Sequence, residues 1–234
     1  MNHKIDTTII IPVINEEKNI RQIFDFINKN IPIDISYEII FVDDKSIDKT
    51  VNEIEALIDE TKKIKLIHSK EKKGLGWAYM QAVEQANSKY LMFIDADLSI
   101  DKDSFSKILN MRRENLHIIG SRYLKNSRIN YPSNIKVLLS KNLNKVISLI
   151  FKLNLTDAGH SFRIFPKINL NEIKIYTHPG FFWNLCIISK NKKMIFKEIP
   201  VIFNDRVHGQ TKNSYLKLSK SIIKFFYLYL RNKI

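Results

Sequence analysis

The sequence predicts an α/β fold built on an open, mostly parallel sheet flanked by helices. Three observations predict it. Short apolar, β-branched runs alternate with helical periodicities through the first half of the 234-residue chain, which argues for parallel pairing through crossovers. Hydrophobic residues make up 44% of the chain, enough to bury a sizeable core. Polar motifs follow the apolar runs directly, at the strand ends outside which such sheets bind ligands.

The elements follow in order. Residues 8–13 (TIIIPV) read as a buried strand. Asn15 is placed to cap a helix on which Ile20, Ile23, Phe24 and Ile27 recur at helical spacing. Residues 37–42 (YEIIFV) form a second strand, and Asp48 is placed to cap a helix with Val51, Ile54, Leu57 and Ile58 on one face. Residues 64–68 form a third strand. Residues 74–86 hold a loop and a short helix with Ala78, Ala82 and Val83 inward. Residues 90–94 (YLMFI) form a fourth strand, 104–111 a helix and 116–121 a fifth strand.

The second half differs in character. Residues 134–152 read as a basic amphipathic helix with Val137, Leu138, Ile147 and Ile150 among its apolar residues. Residues 180–189 read as a helix, 194–204 as extended chain, and 214–231 as a helix rich in Lys, Phe and Tyr. No internal repeat or low-complexity linker interrupts the chain.

Composition excludes several classes. The single cysteine, Cys186, rules out an intrachain disulfide framework or a cysteine zinc site, and suits a reducing compartment or indifference to redox. No stretch approaches ~18 apolar residues, so no membrane-spanning helix is expected. The opening MNHKIDTTIIIPVINEE does not read as a signal peptide. The net charge of +14 is uneven: residues 1–123 carry 18 Lys+Arg against 20 Asp+Glu, and residues 124–234 carry 20 against 4. A basic half suits a polyanionic partner such as nucleic acid, anionic lipid or phosphate groups. A solvated Lys-rich surface has the same composition.

Three motifs carry chemistry. Asp95-Ala96-Asp97 follows the fourth apolar run, and two carboxylates there can hold Mg²⁺ or Mn²⁺ against a diphosphate. The alternative is that they merely end a buried strand. Asp43-Asp44 follows the second run; a carboxylate there can accept hydrogen bonds from a nucleobase or ribose, or close an Asx turn. Lys72-Lys73-Gly74-Leu75-Gly76 is a basic glycine loop that can approach a ligand closely, but it lacks the phosphate-loop and dinucleotide spacings.

Together these motifs resemble glycosyltransferase family 2, and within it the dolichol-phosphate (polyprenyl-phosphate) mannosyltransferase group. The segments IPVINEE, VDDKSIDKT, GLGWAY, DADLS, GSRY, DAGHSFR and EIPVIFNDRVHGQTK occur in that group's order, from about Thr8 to Lys212. The resemblance implies a GT-A fold with a Rossmann-like sheet over 1–212. Residues 1–123 would form a nucleotide-sugar half, 124–212 an acceptor half, and 213–234 a separate basic amphipathic helix. It implies nucleoside contacts from Pro12, Glu16, Val42 and Asp44. It puts Asp95, Ala96 and Asp97 at the metal and diphosphate, with Asp95, Asp97 and Arg122 catalytic. Arg122, Arg206 and Lys212 would face phosphates, and Lys136 and Ser140 would meet the acceptor phosphate. The chain departs from the group's pattern at Ile14, usually Tyr, at Lys136, usually Arg, at Cys186, usually Glu, and in DAGHSFR, which brings His160 to the acceptor side.

The expected activity is inverting transfer of a hexose, mannose or glucose, from a nucleotide diphosphate sugar to a polyprenyl phosphate, with Mg²⁺ or Mn²⁺. A phosphate acceptor is already ionised and needs no strong base, which agrees with the scarcity of acids in the second half: Asp157, Glu172, Glu198 and Asp205. One alternative is transfer to a glycan hydroxyl in surface polysaccharide synthesis. Another is a non-enzymatic polyanion- or membrane-binding module, in which the acidic strand-end motifs would have no role. Nucleic acid is not an expected partner. The expected setting is the cytoplasmic face of a membrane, held by peripheral contact through the C-terminal helix or by a separate anchor protein. His160, His178, His208, Trp77, Trp183 and Cys186 read as structural, with His178 and His208 in loops or on the surface.

Overall fold

A computed structural model of the chain describes residues 5–69, 74–130, 134–174, 178–206, 208 and 215–231. The first half runs β1 (Ile5–Val13), α1 (Glu17–Asn30), β2 (Tyr37–Asp43), α2 (Thr50–Glu60), β3 (Ile64–His68), α3 (Leu75–Gln85), β4 (Ser88–Phe93), α4 (Lys102–Asn110) and β5 (Leu116–Ser121). The second half runs β6 (Arg128–Asn130), α5 (Asn134–Ile150), β7 (Arg163–Pro166), α6 (Gly180–Asn191), β8 (Ile195–Pro200), β9 (Ile202–Asn204) and α7 (Tyr215–Leu230).

The central sheet has seven strands in the order β3-β2-β1-β4-β7-β5-β8. Strands β1 to β4 pair in parallel, as the alternation of strand and helix requires. Alternate residues then point to opposite faces. Ile9, Ile11, Ile39, Phe41 and Met92 pack under α1, α2 and α4, while Ile10, Ile40, Val42, Leu91 and Phe93 pack under α3 and α6. The expected inward residues of α1, Ile20, Ile23, Phe24 and Ile27, are all buried. Strand β7 has no counterpart in the sequence prediction. It inserts antiparallel between β4 and β5 and brings Arg163 into the sheet fully buried. Four residues ending in proline are too short to show a period, so only the sheet reveals them.

Two local expectations are corrected. Asn15 does not cap α1; Glu16 occupies that position, while Asn15 takes a φ of 51° and its Oδ1 accepts the Ile47 N–H at 2.8 Å. Asp48 lies before the α2 cap, Lys49. Its carboxylate accepts from Thr50 N–H at 3.0 Å and Glu17 N–H at 3.3 Å, tying the starts of α1 and α2 together. The amphipathic helix expected over 134–152 forms as α5, with Ile147 buried, Val137 half-buried and Leu138 and Ile150 exposed. Gly76 also acts differently from a ligand-facing glycine. A Cβ there would lie 2.4 Å from Phe181 Cδ2, so its bareness lets α3 settle on α6.

The second half adds a third apolar cluster. Ile147 of α5, Trp183 and Cys186 of α6 and Phe225 of α7 meet with Ile119, Leu153 and Leu155. Phe225 packs edge-on against Trp183 and Phe151, with centroids 5.1 and 5.5 Å apart. So α7 docks on the body of the protein through one face. Among the described residues no helix is long and apolar enough to cross a membrane.

Candidate active site

Asp95 and Asp97 leave the sheet directly after β4, with Ala96 buried between them. Ser161 Oγ donates to Asp95 Oδ2 at 2.6 Å, and the Tyr79 hydroxyl lies 3.5 Å from Oδ1. Asp97 Oδ1 accepts the Ser99 N–H at 3.2 Å, and its Oδ2 lies 3.3 Å from Arg206 Nη2. Burial, and next the Asp97 charge, push the Asp95 carboxyl up to about 6; Ser161, Arg206 and Tyr79 oppose this.

This pair fits a hard divalent cation. It offers adjacent carboxylate oxygens, and their mutual repulsion is what a cation would relieve. Among the described residues no set of three His, Cys, Asp or Glu side chains forms a metal cage.

The raised Asp95 value has a sign for stability. Between the ordinary 3.8 and about 6 the folded chain holds a proton that the unfolded chain has released, so stability falls as pH rises through that window. Asp95→Asn removes the buried charge. Its melting temperature near pH 7.5 should rise by on the order of 5 °C. Thermal unfolding against pH checks this, and a lower melting temperature at pH 7.5 contradicts it.

Arg122 follows β5 and grips Asp157 with two bonds, Nε to Oδ2 at 2.7 Å and Nη2 to Oδ1 at 2.8 Å; its N–H adds a third to Oδ2 at 3.1 Å. Asp157 is fully buried. Burial is the largest single influence and would lower the Arg122 value and raise that of Asp157, but the partner's charge and hydrogen bonds together outweigh it, and both are held ionised. Asn144 Nδ2 also donates to Asp157 Oδ1 at 3.2 Å, which ties α5 to this pair. Glu198 on β8 accepts the Thr156 and Asp157 N–H groups, both at 2.8 Å, and so fixes the loop that presents Asp157.

Six predicted residues line one cleft of about 740 Å³: Asp95, Asp97, Arg122, Lys136, Ser140 and Arg206. Others stand elsewhere. Glu16 lies at its edge, 4.0 Å from Arg206 Nη1. Asp44 is half-buried after β2, and its N–H donates to Val13 O at 2.9 Å. Asp43 accepts the Ser46 N–H at 3.0 Å, the Asx-turn role. Pro12 is half-buried in β1, and the Val42 side chain is turned into the core. Lys212, Lys72 and Lys73 lie outside the described residues.

Sequence reasoning did not single out Asp157, Asn144, Ser161 or Glu198. Asp157 and Ser161 stand inside DAGHSFR, but nothing in their spacing names Arg122 or Asp95 as partners. His178 stands in a loop, as expected, yet that loop walls the cleft. Burial, then the Arg122 charge, lowers His160 to about 3 and His178 to about 4, so both imidazoles are neutral. His160 Nδ1 then donates to Gly120 O at 2.6 Å.

Residues 8–173 match the family described as Glycosyl transferase family 2. The chain is 29% identical over 214 residues to a dolichol-phosphate mannosyltransferase of Pyrococcus furiosus, covering 88% of this chain and 58% of that one. It is 28% identical over 121 residues to a dolichol-phosphate mannosyltransferase of Saccharomyces cerevisiae, covering 51% of this chain and 45% of that one. The chain thus spans about half the length of these relatives. A crystal structure of glucosyl-3-phosphoglycerate synthase from Mycobacterium tuberculosis, in complex with Mn²⁺, UDP and glucosyl-3-phosphoglycerate, superposes with a TM-score of 0.69 at 12% identity, covering 97% of this chain and 80% of that one. At that identity the likeness speaks for the fold. The seven-stranded sheet flanked by helices is therefore that of a GT-A fold, and the chain belongs to glycosyltransferase family 2.

Proposed function

We propose that this cleft transfers a hexose, mannose or glucose, from a nucleotide diphosphate sugar to a polyprenyl phosphate, with inversion at the anomeric carbon. The observation that carries the reading is one cleft that joins two carboxylates, Asp95 and Asp97, to three cations, Arg122, Lys136 and Arg206. Asp95 and Asp97 would hold Mg²⁺ or Mn²⁺, which when bound supplies positive charge to the leaving diphosphate.

The chain's own residues do the rest. Arg206 stands between Asp97 and Glu16, where it can follow the donor phosphates. Glu16, Asp44, Pro12 and Val42 belong to the nucleoside end, Ala96 sets the spacing of the two carboxylates, and Lys212 adds a phosphate cation. Arg122, held rigid by Asp157, and Lys136 with Ser140 on α5 orient the acceptor phosphate. One acceptor oxygen attacks the anomeric carbon. The bond to the diphosphate breaks, and its electron pair leaves with the nucleoside diphosphate. An ionised phosphate needs no base, so positioning and cations suffice.

The surface beside the cleft supports a membrane-borne acceptor. Ile135, Leu138 and Leu149 of α5 and Ile223, Tyr227 and Leu230 of α7 are exposed, with Lys141, Lys145, Lys220 and Lys224 on the same two helices. Exposed apolar residues among lysines suit the interface of an anionic membrane. Peripheral contact through both helices, on a cytoplasmic face, extends the reading; a separate anchor protein would supplement it.

Incubation with radiolabelled nucleotide sugars, Mn²⁺ or Mg²⁺ and a polyprenyl phosphate tests the proposal. Metal-dependent label that extracts into organic solvent is the expected result. A second reading rests on Asp205, a carboxylate that also lines the cleft and can serve as a base for a hydroxyl acceptor. Label found on an oligosaccharide and never on lipid would favour it and overturn the first.

A further inference from the structure

The floor of the cleft holds a donor that the reading above does not use. Trp183 on α6 is 1% exposed, yet it lines the cleft, and its indole N–H has no hydrogen-bond partner among the described residues. Buried N–H groups left unpaired are uncommon and ask for an occupant. Phe225 of α7 packs edge-on against the indole at 5.1 Å, so the ring is held and cannot readily turn its nitrogen elsewhere.

A notch lies next to this nitrogen. Gly159 has no side chain, and a Cβ built there would lie 3.0 Å from Trp183 Nε1, 3.2 Å from Asn144 Oδ1 and 3.3 Å from Pro179 Cβ. Asn144 does not satisfy the indole. Its Oδ1 accepts the Gly159 N–H at 2.9 Å, and its Nδ2 is committed to Asp157 and to Ser140 O. The glycine leaves open the space beside the indole that any side chain would fill.

The field behind the notch is positive. Arg163 is fully buried, and its guanidinium donates to the Ala158 and His160 carbonyls and to Cys186 Sγ. Among the described residues no carboxylate reaches it, whereas the Arg122 charge is matched by Asp157. His160 and His178 on the same wall carry no charge to alter that balance. A small, positively biased notch with an unpaired donor suits one oxygen of an anion better than a neutral hydroxyl.

We infer that the Trp183 indole N–H donates to a phosphate oxygen of the acceptor, seated in the notch beside Gly159. This rests on the phosphate-acceptor reading and adds to it a specificity-determining residue. Lys136 supplies charge and Arg122 a fixed guanidinium; Trp183 supplies a directional bond that a phosphate monoester can accept and that a sugar hydroxyl leaves weakly used.

The chain has two tryptophans, so Trp77→Phe leaves Trp183 as the only indole emitter. Its emission is titrated with a ten-carbon isoprenyl phosphate, the matching alcohol and inorganic phosphate. The expected result is a saturable change with the isoprenyl phosphate, a weaker one with inorganic phosphate and none with the alcohol. In steady-state assays Trp183→Phe keeps the ring but removes the N–H. It should raise the acceptor KM about tenfold and leave the donor KM unchanged. Gly159→Ala, which fills the notch while keeping the indole, should do the same; circular dichroism and melting temperature report on the fold of both. An unresponsive emission, or an unchanged acceptor KM in Trp183→Phe with lipid transfer intact, overturns the inference alone. Transfer to a glycan and none to lipid phosphate overturns the reading beneath it.

Discussion

Asp97→Ala lowers kcat by on the order of a thousandfold while the protein stays folded. Asp97 serves two purposes in the cleft. It is half of the carboxylate pair that fits the divalent cation, and its Oδ2 holds Arg206 at 3.3 Å. Its removal leaves Asp95 as the sole acid of the motif and takes from Arg206 its nearer carboxylate. The side chain is half-buried at a strand end, so no core contact is lost with it. A binding readout separates this effect from damage to the fold. The wild-type chain should gain thermal stability with a nucleoside diphosphate and Mn²⁺ together, more than with either alone. In Asp97→Ala that gain should vanish while the melting temperature without ligand holds. A full ligand response with unchanged kcat would remove Asp97 from the site.

Asp157→Ala has the larger effect on stability, about 3–5 kcal/mol by denaturant unfolding. Asp157 is fully buried and holds the Arg122 guanidinium through two bonds and the Arg122 N–H through a third. Alanine takes away the carboxylate that holds the half-buried Arg122 guanidinium and leaves Asn144 Nδ2 with one partner fewer. The double substitution Arg122→Met with Asp157→Ala removes both charges. It should recover much of the lost stability without recovering transfer. If the double variant is as unstable as Asp157→Ala alone, the pair is not the source of the loss. The pH sign agrees with the same account. Burial raises the Asp157 value, Arg122 lowers it by more, and the net value lies below the ordinary 3.8. The stabilisation from the pair is therefore present above about pH 4 and lost as pH falls below it.

Much of the first half was legible in the sequence. The runs TIIIPV, YEIIFV and YLMFI are buried strands because a sheet covered on both faces needs continuous apolar residues. Their polar ends could be placed for the same reason: Asp95 and Asp97 stand where the apolar run stops. The second half was less legible. Strand β7 is four residues long, too short for a periodic signal. The amphipathic pattern of α5 left open which of its apolar residues are covered, since periodicity reports which residues share a face and not what covers that face. The caps of α1 and α2 shifted because Asn15 bonds across to the loop before α2, and Asp48 shares its carboxylate between the starts of both helices.

By itself the sequence determined the alternation of strand and helix, the carboxylates at the end of β4 and the excess of cations in the second half. Each of these follows from residues near one another in the chain, where burial and periodicity act locally. Tertiary structure decided the partners. Ser161 meets Asp95 across 66 residues, Arg206 meets Asp97 across 109, and Asp157 rather than a ligand holds one edge of Arg122 across 35. Such pairings depend on which strand inserts beside which and on how closely the helices pack. A buried charge takes whichever counter-charge that packing delivers, and no local pattern in the chain records the choice.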